Sequence, residues 1–393
     1  MAKSPVSIVR LGNYRPDDVA AALGKCLDLL GGLPSIIRPR SRVFVKINHL
    51  SPASPPERGI VTHPVLAGEV LRLLKNMDCQ VTAGDDIQSS QADGFAISGY
   101  RDICRAVGVR LVNLKEAGFR KVSLEGSRLK EVYISPLCLE ADFIIDLAKL
   151  KTHSLTVFTG AVKNMFGVIP HGLRLRCHRR FGQCDQFSEM LVDIYSCVRP
   201  HLTVMDGVVA MEGEGPAAGR CRTTGIIIAG RDGIAVDAVA SNIIGFNPLN
   251  IFTTSDAHER GLGQGELSQI EIRGEALASV RVKDFEHSAV ALGLLRRKIP
   301  SRLFSTIYDY LALIPEVIGG RCTGCLECIG ICPAGAAKKR DGKAWLDQTV
   351  CIHCMCCHEV CRFEAIRVRK RFPGRVIHRL EALWKVVRSG RFG

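Results

Sequence analysis

Apolar positions along the chain fall into two periods. Short runs rich in Val, Ile, Leu and Phe recur at Val43–Ile47, Gln80–Ala83, Phe143–Leu147, Leu202–Met205 and Gly225–Ala229. Their length and β-branched content predict strands. Pro64–Asn76, Ser188–Cys197 and Ala235–Ile244 place apolar residues at helical spacing. Strands alternating with helices predict an α/β fold over residues 1–284, a mostly parallel sheet with helices on both faces. Gly59–His63 and Gly94–Gly99 read as loops. Over residues 285–320, Leu292, Leu295, Ile299, Leu303, Ile307, Leu311 and Ile314 fit amphipathic helices broken at Pro300 and Pro315. That predicts a helical linker closed by a Gly319-Gly320 joint. Beyond a small module at 321–368, the tail 369–393 reads as a basic amphipathic segment, a C-terminal helix docked on that module with a solvated basic face, or alternatively one that lies on an anionic membrane. Val376, Leu380, Leu383, Trp384 and Val387 share one face, and Arg375, Arg379, Lys385 and Arg388 the other.

Polar residues gather where the predicted strands of the first domain end. Val43–Ile47 contains Lys46 and runs into Asn48-His49, and Gln80–Ala83 ends in Gly84-Asp85-Asp86. Phe143–Leu147 leads into Lys149-Leu150-Lys151-Thr152-His153, Leu202–Met205 into Asp206-Gly207, and Gly225–Ala229 into Gly230-Arg231-Asp232. Open α/β sheets bind ligands at the carboxyl ends of their strands. Thr159-Gly160-Ala161-Val162-Lys163-Asn164-Met165-Phe166-Gly167 adds small residues, a lysine and an asparagine. Lys151 and Lys163 suit a phosphate, carboxylate or enolate, and His153 a proton transfer. The basic stretch His171–Phe187 reads as a loop over this site, and its Cys177, His178 and Cys184 have poor spacing for zinc. Gly213–Gly219 lacks the strand–turn–helix setting of a dinucleotide fingerprint, and reads as a loop that brings Glu212 or Glu214 towards the site. The chain has neither a Walker lysine motif nor a GxSxG elbow.

The cysteines are the sharpest signal. Cys322-x2-Cys325-x2-Cys328-x3-Cys332-Pro333 is repeated as Cys351-x2-Cys354-x2-Cys357-x3-Cys361. Each run has the bacterial ferredoxin spacing for a [4Fe–4S] cluster, in which the fourth cysteine serves the other cluster. The expected ligands are Cys322, Cys325, Cys328 and Cys361 for one cluster, and Cys351, Cys354, Cys357 and Cys332 for the second. The module should therefore be a small α+β, ferredoxin-like unit built on a repeat of 29 residues. Arg362 replaces the second proline, and Cys356 is a packed extra thiol.

Composition narrows the setting. Of the 17 cysteines, the eight outside the module are scattered, as expected of free thiols in a reducing cytoplasm. Neither a signal-type apolar core in Met1–Gly24 nor a spanning apolar stretch is present in the sequence, which predicts a cytoplasmic or peripheral protein. A net charge of +14 points to an acidic partner or anionic substrate, with peripheral membrane contact through the tail. No aromatic-rich basic stripe or known module points to specific nucleic-acid binding.

Thr62-His63-Pro64, Gly84-Asp85, Ala141-Asp142, Lys149-Leu150-Lys151-Thr152-His153, Gly160 to Gly167, Asp206-Gly207, Glu214-Gly215-Pro216 and Asp232-x4-Asp237-Ala238 together resemble the domain of unknown function family 362. The resemblance covers roughly residues 7 to 250, and implies fusion to a ferredoxin-type module in this order. A fainter similarity, to the N-terminal domain of lactate racemase-like proteins, hints at small-acid chemistry. The expected function is an iron–sulfur oxidoreductase. Electrons pass through the two clusters to a substrate or cofactor held by Lys151, His153, Lys163 and Asn164, with His153, Asp85 or Asp206 moving the proton. The alternative is a non-catalytic electron-transfer or assembly subunit that docks on a redox partner protein.

Overall fold

The computed structural model describes residues 3–50, 53–87, 93–288 and 313–370. The chain divides into two compact units, Met1–Ser288 and Ala289–Gly393. The first is built on a nine-stranded sheet. Its strands are β1 (Ser4–Arg10), β2 (Arg42–Lys46), β3 (Gln80–Asp85), β4 (Arg110–Asn113), β7 (Phe143–His153), β8 (Val157–Phe158), β9 (Leu202–Glu212), β10 (Arg220–Gly230) and β11 (Ile270–Gly274). A separate hairpin pairs β5 (Arg120–Ser123) with β6 (Glu131–Ile134). The main order is β11-β1-β10-β9-β7-β2-β3-β4, with β8 folded against β7. The run β9-β7-β2-β3-β4 is parallel throughout, and β10 enters antiparallel between β9 and β1. The expected mostly parallel α/β sheet is thus observed.

Side-chain alternation explains why both faces are covered. Val43, Val45, Ile145 and Leu147 pack with Val19, Leu23, Leu66 and Val70, from the helices Pro16–Asp28 and Pro64–Asn76. Their neighbours Phe44 and Ile144 point the other way, to Phe187, Leu191 and Ile194 of helix Cys184–Cys197 and to Ile234 of helix Gly233–Ile243. β7 runs past Leu147 to His153, because β9 continues alongside it and pairs Lys149 with Asp206 and, after an irregularity, Lys151 with Met211.

Two stretches expected as loops are helical. Gly94–Ile97 is a helical turn, whose N-cap Asp93 accepts from the Ala96 N–H. The basic segment expected as a loop over residues 171–187 forms helix His171–Arg180 and opens helix Cys184–Cys197. Its periodicity is weak because, within His171–Arg180, Leu173 and Cys177, one turn apart, are the apolar residues that pack into the core amid a run of basic residues.

In the second unit, β12 (Leu313–Val317) pairs antiparallel with β15 (Ile366–Lys370), and β13 (Ala337–Arg340) with β14 (Lys343–Leu346). The end of the expected helical linker is therefore a strand, and the start of the expected tail completes its partner. Phe285 to Ser288, placed in that linker, belong to the first unit. The remaining linker residues 289–312 and the tail 371–393 lie outside the described residues.

Asp232 and Asp237 show how one helix supports the site. Asp232 caps its own helix, accepting from the N–H groups of Ile234 and Ala235. Asp237, one turn on, accepts from the N–H groups of Ala161 (2.7 Å) and Val162 (3.2 Å), at the start of the helix that carries Lys163 and Asn164. Gly160 precedes them at φ +152°, where a Cβ would collide with Asp237. Replacing Asp237 with Ala leaves two buried N–H groups without this acceptor. Denaturant unfolding of Asp237→Ala should show a loss of about 1–3 kcal/mol for each N–H left unsatisfied, and an unchanged midpoint would remove Asp237 from this role.

Candidate functional site

The strand ends carry three buried lysines, Lys46, Lys149 and Lys151. An unpaired buried ammonium is costly, so each must find acceptors. Lys46 Nζ donates to Asp85 Oδ2 (2.7 Å), to the carbonyl of Ile47 (2.7 Å) and to Asn164 Oδ1 (3.3 Å). Asn164 Oδ1 also accepts from Asn48 Nδ2 (2.9 Å), while its own amide donates to Asp146 Oδ1 (2.6 Å). Lys151 Nζ donates to Asn48 Oδ1 (3.2 Å) and to the Ile60 carbonyl (2.6 Å). One network thereby joins Asp85, Lys46, Asn164, Asp146, Asn48 and Lys151. Gly167 closes over it, since a Cβ there would collide with Asp85 and crowd Lys46.

A second pair lies apart from this network. Lys149 Nζ donates to Asp206 Oδ2 (2.7 Å) and to the Tyr14 hydroxyl (3.2 Å), which in turn donates to Asp206 Oδ1 (2.8 Å). The His63 N–H also donates to Asp206, and the His63 ring stacks on Tyr14 with centroids 3.7 Å apart. Burial and the neighbouring Asp206 carboxylate push the Tyr14 phenol well above its ordinary value. Asp206 is therefore not grouped with Asp85.

A third cluster surrounds His153. Its Nδ1 accepts from the N–H groups of Leu155 (2.9 Å) and Thr156 (3.3 Å), so in the neutral ring the proton sits on Nε2. Burial, then Lys163, His178 and Lys151, hold its pKa well below the usual value. His178 is lowered to about 3 by burial, then by Lys163, Arg174 and His171. The Lys163 ammonium lies 4.9 Å from the centre of the Phe166 ring. Arg174 donates to the carbonyl of Asp86 (2.7 Å) and to its carboxylate (2.8 Å). Asp146 is pushed up to about 7, chiefly by burial, against the opposing effects of Asn164 and Lys46.

Of the six residues singled out in the sequence, Asp85, Lys151 and His153 lie at or near strand ends, and Lys163 and Asn164 on the helix Ala161–Asn164. Asp206 instead lies inside β9, which runs on to Glu212 rather than ending at Met205 because β10 and β7 pair alongside it. Asp85, Asn164 and Lys151 share one network, His153 and Lys163 the adjacent cluster, and Asp206 the separate pair. Sequence reading did not single out Asp146, Tyr14, or His178 as a partner of Lys163. Alternation along Phe143–Leu147 offered a signal for Asp146, a lone carboxylate inside an apolar strand. The loop expected to bring Glu212 or Glu214 towards the site lies against the end of β7, where the Gly215 N–H donates to Thr152 Oγ1 (3.2 Å) and the Ser154 N–H to the Gly215 carbonyl (2.9 Å). Glu212 accepts from Arg220 and the Glu286 N–H, and Glu214 from Ser288.

In the second unit the thiols divide between two cavities. Cys322, Cys325, Cys328 and Cys361 line one. Cys332, Cys351, Cys354 and Cys357 line the other. The repeat is visible in the backbone. Gly324 and His353, Leu326 and Met355, and Gly335 and Glu364 occupy matching positions with positive φ. The Ala336 N–H donates to Cys332 Sγ and the Ala365 N–H to Cys361 Sγ, each at 3.2 Å. Burial, then Cys325, Cys361 and Cys322, push the Cys328 thiol up to about 11. Among the described residues, no three His, Cys, Asp or Glu side chains are grouped to hold a single metal ion. Among them too, no helix is long and apolar enough to cross a membrane.

An α/β domain with lysine–carboxylate pairs buried at its strand ends, followed in the chain by a cysteine-lined unit, is the class these observations define. The chain belongs to the family described as domain of unknown function DUF362, whose model matches residues 43–242. It is 30% identical over 264 residues to a thylakoid-associated protein of Synechocystis sp., covering 67% of this chain and 81% of that protein. An uncharacterised protein of Porphyra purpurea is 30% identical over 64 residues, 14% of this chain and 85% of the other. Among solved structures, lactate racemase apoprotein from Thermoanaerobacterium thermosaccharolyticum gives a TM-score of 0.37 at 14% identity, over 58% of this chain and 54% of that one. The chain thus spans about half of the racemase, too loosely to carry a functional comparison.

Asp146 titrates with a sign opposite to that of a paired surface carboxylate. Its folded pKa lies above its unfolded value, so the folded state binds the extra proton and loses this stabilisation as pH rises from about 4 to 7. The stability of the native chain relative to Asp146→Asn should fall by about 1.4 kcal/mol per pH unit across that window and level off on either side. A flat difference in urea unfolding between pH 4 and 7 would contradict it.

Proposed function

We propose that the protein is an iron–sulfur oxidoreductase, with a ferredoxin-like module that holds two [4Fe–4S] clusters and an α/β domain that binds the substrate. The observation that carries this reading is the partition of eight cysteines into two cavity linings, each with three thiols from one run and the fourth from the other. The donor set fits the group. Each thiolate of a four-iron cluster binds a different iron, which calls for four sulfurs spread round a cavity rather than drawn to one point. The paired N–H donors to Cys332 and Cys361 would hold those thiolates in place. Bound clusters supply single electrons, and the rest of the chemistry falls to the chain.

In the α/β domain, Lys151 and Lys163 bind and orient a small anionic substrate, and Asn164 holds the helix that presents Lys163. His153 takes part as a neutral imidazole that donates from Nε2, because burial and cationic neighbours oppose its protonation. Asp85 and Asp206 hold the ammonium groups of Lys46 and Lys149 in place. Asp146, pushed up to about 7, is the carboxyl best matched to giving or taking a proton near neutral pH.

A second reading draws on the Synechocystis sp. relative, described as thylakoid-associated, and on the net charge of +14. In it the chain is a non-catalytic electron-transfer or assembly subunit, docked on a partner protein or held at a membrane surface by its basic tail. Recovery with one stable protein partner, and no small-molecule ligand, would favour it.

Anaerobic purification with iron and sulfide quantification and EPR tests the leading reading. About eight irons per chain are expected, falling to about four in Cys361→Ala. The cluster lost should be the one that Cys322→Ala also removes, rather than the one removed by Cys351→Ala. Absence of iron and sulfide after reconstitution would overturn the proposal. Lys163→Ala should abolish turnover of a co-purified ligand while leaving the cluster absorbance intact.

A further inference from the structure

The group around His153 is unusual in its charge. Lys151, Lys163, His171, Arg174 and His178 are the electrostatic neighbours that depress the two buried imidazoles. Arg174 is engaged by Asp86. His178 is only 6% exposed, yet its Nδ1 is buried without a hydrogen-bond partner among the described residues. Buried polar nitrogens are seldom left so, and one that is needs a reason. The ring is held in place by packing, with Phe187 at 4.5 Å and Phe166 at 5.9 Å between centroids. Lys163 approaches the same Phe166 ring and remains partly exposed. A partly exposed lysine and a fixed, buried imidazole thus meet at one aromatic floor.

We propose that Lys163 and His178, with His153 beside them, form a binding site for the anionic group of a small ligand, a carboxylate or a phosphate. The inference rests on reading the strand ends as the substrate site, and adds to it a residue, His178, that reading did not contain, and the place where the substrate's anionic group is held. Both imidazoles remain neutral and donate N–H, while Lys163 supplies the formal charge. A cation is disfavoured by the Lys163 ammonium, which sits over the same Phe166 ring that His178 packs against. Asn164, next to Lys163, is committed to Lys46, Asn48 and Asp146, and so holds the helix that presents the ammonium.

The test is calorimetric titration of the full, anaerobically purified chain with two probes, inorganic phosphate and succinate. Binding of phosphate alone assigns a phosphoryl group to the ligand, and binding of succinate alone a carboxylate. His178→Phe keeps a ring between Phe166 and Phe187 but removes its nitrogens, and Lys163→Met removes the charge. Each should weaken the bound probe by about tenfold or more, while Lys163→Arg should retain it. If neither probe binds, or binding survives both His178→Phe and Lys163→Met, the site is wrong. Iron and sulfide quantification on the same preparation separates this inference from the redox reading. Anion binding by a native chain that takes up no iron or sulfide on reconstitution upholds the site and overturns the oxidoreductase. Iron-dependent turnover without anion binding does the reverse.

Discussion

The strand ends of the α/β domain depend on burying ammonium groups at almost no exposure. A lysine inside a sheet survives only if its three donors meet acceptors, since the surroundings solvate charge poorly. Lys46 meets this condition with a carboxylate, a carbonyl and an amide, drawn from β2, β3 and the helix that follows Gly160. The need propagates outward. Asn164 must offer its oxygen to Lys46 and its amide to Asp146, so the helix carrying it must be fixed, and Asp237 fixes it. Gly167 must lack a side chain because Asp85 and Lys46 fill the space beside it. The Gly160 to Gly167 segment and the Asp232-x4-Asp237 spacing are thus two parts of one support.

The same logic separates roles that look alike. Asp85, Asp146 and Asp206 are all buried carboxylates at neighbouring strands. Asp85 and Asp206 each face a lysine at 2.7 Å, whereas Asp146 faces the amide of Asn164. Burial without a direct cationic partner raises a carboxyl, and a direct partner opposes that rise. Asp85 and Asp206 thus anchor ammonium groups, while Asp146 is the carboxyl that burial pushes up to about 7.

In the second unit, symmetry does the organising. Matching residues 29 positions apart share positive φ and matching N–H donors to sulfur. The two halves differ in their turns and edges. Arg362 stands where the first half has Pro333, and pairs with Glu327 of the opposite half. The hairpin between β13 and β14 turns at Asp341-Gly342, both at positive φ, the chemistry a two-residue turn requires. That dipeptide, between short strand-forming runs, was a signal for the hairpin that sequence reading did not use.

Much of this was legible in the chain alone. The parallel strands, helix Pro64–Asn76, the polar strand ends and the doubled cysteine run follow from periodicity and spacing, which are local properties. The misread segments are those whose conformation is set by a distant partner. Leu313–Val317 looks helical beside its neighbours, and becomes a strand because Ile366–Lys370 lies next to it. His171–Arg180 has too few apolar residues to declare a helix, and is held by a small buried stripe and by Arg174 on Asp86. Sequence could name Lys151, His153, Lys163, Asn164, Asp85 and Asp206, because their residue types and their places after strands are local facts. Only the tertiary structure could divide them into an amide-linked network, a lysine–aspartate–tyrosine pair and a cationic histidine cluster. Hydrogen bonds and charge act across space, between residues as far apart in sequence as Tyr14 and Asp206.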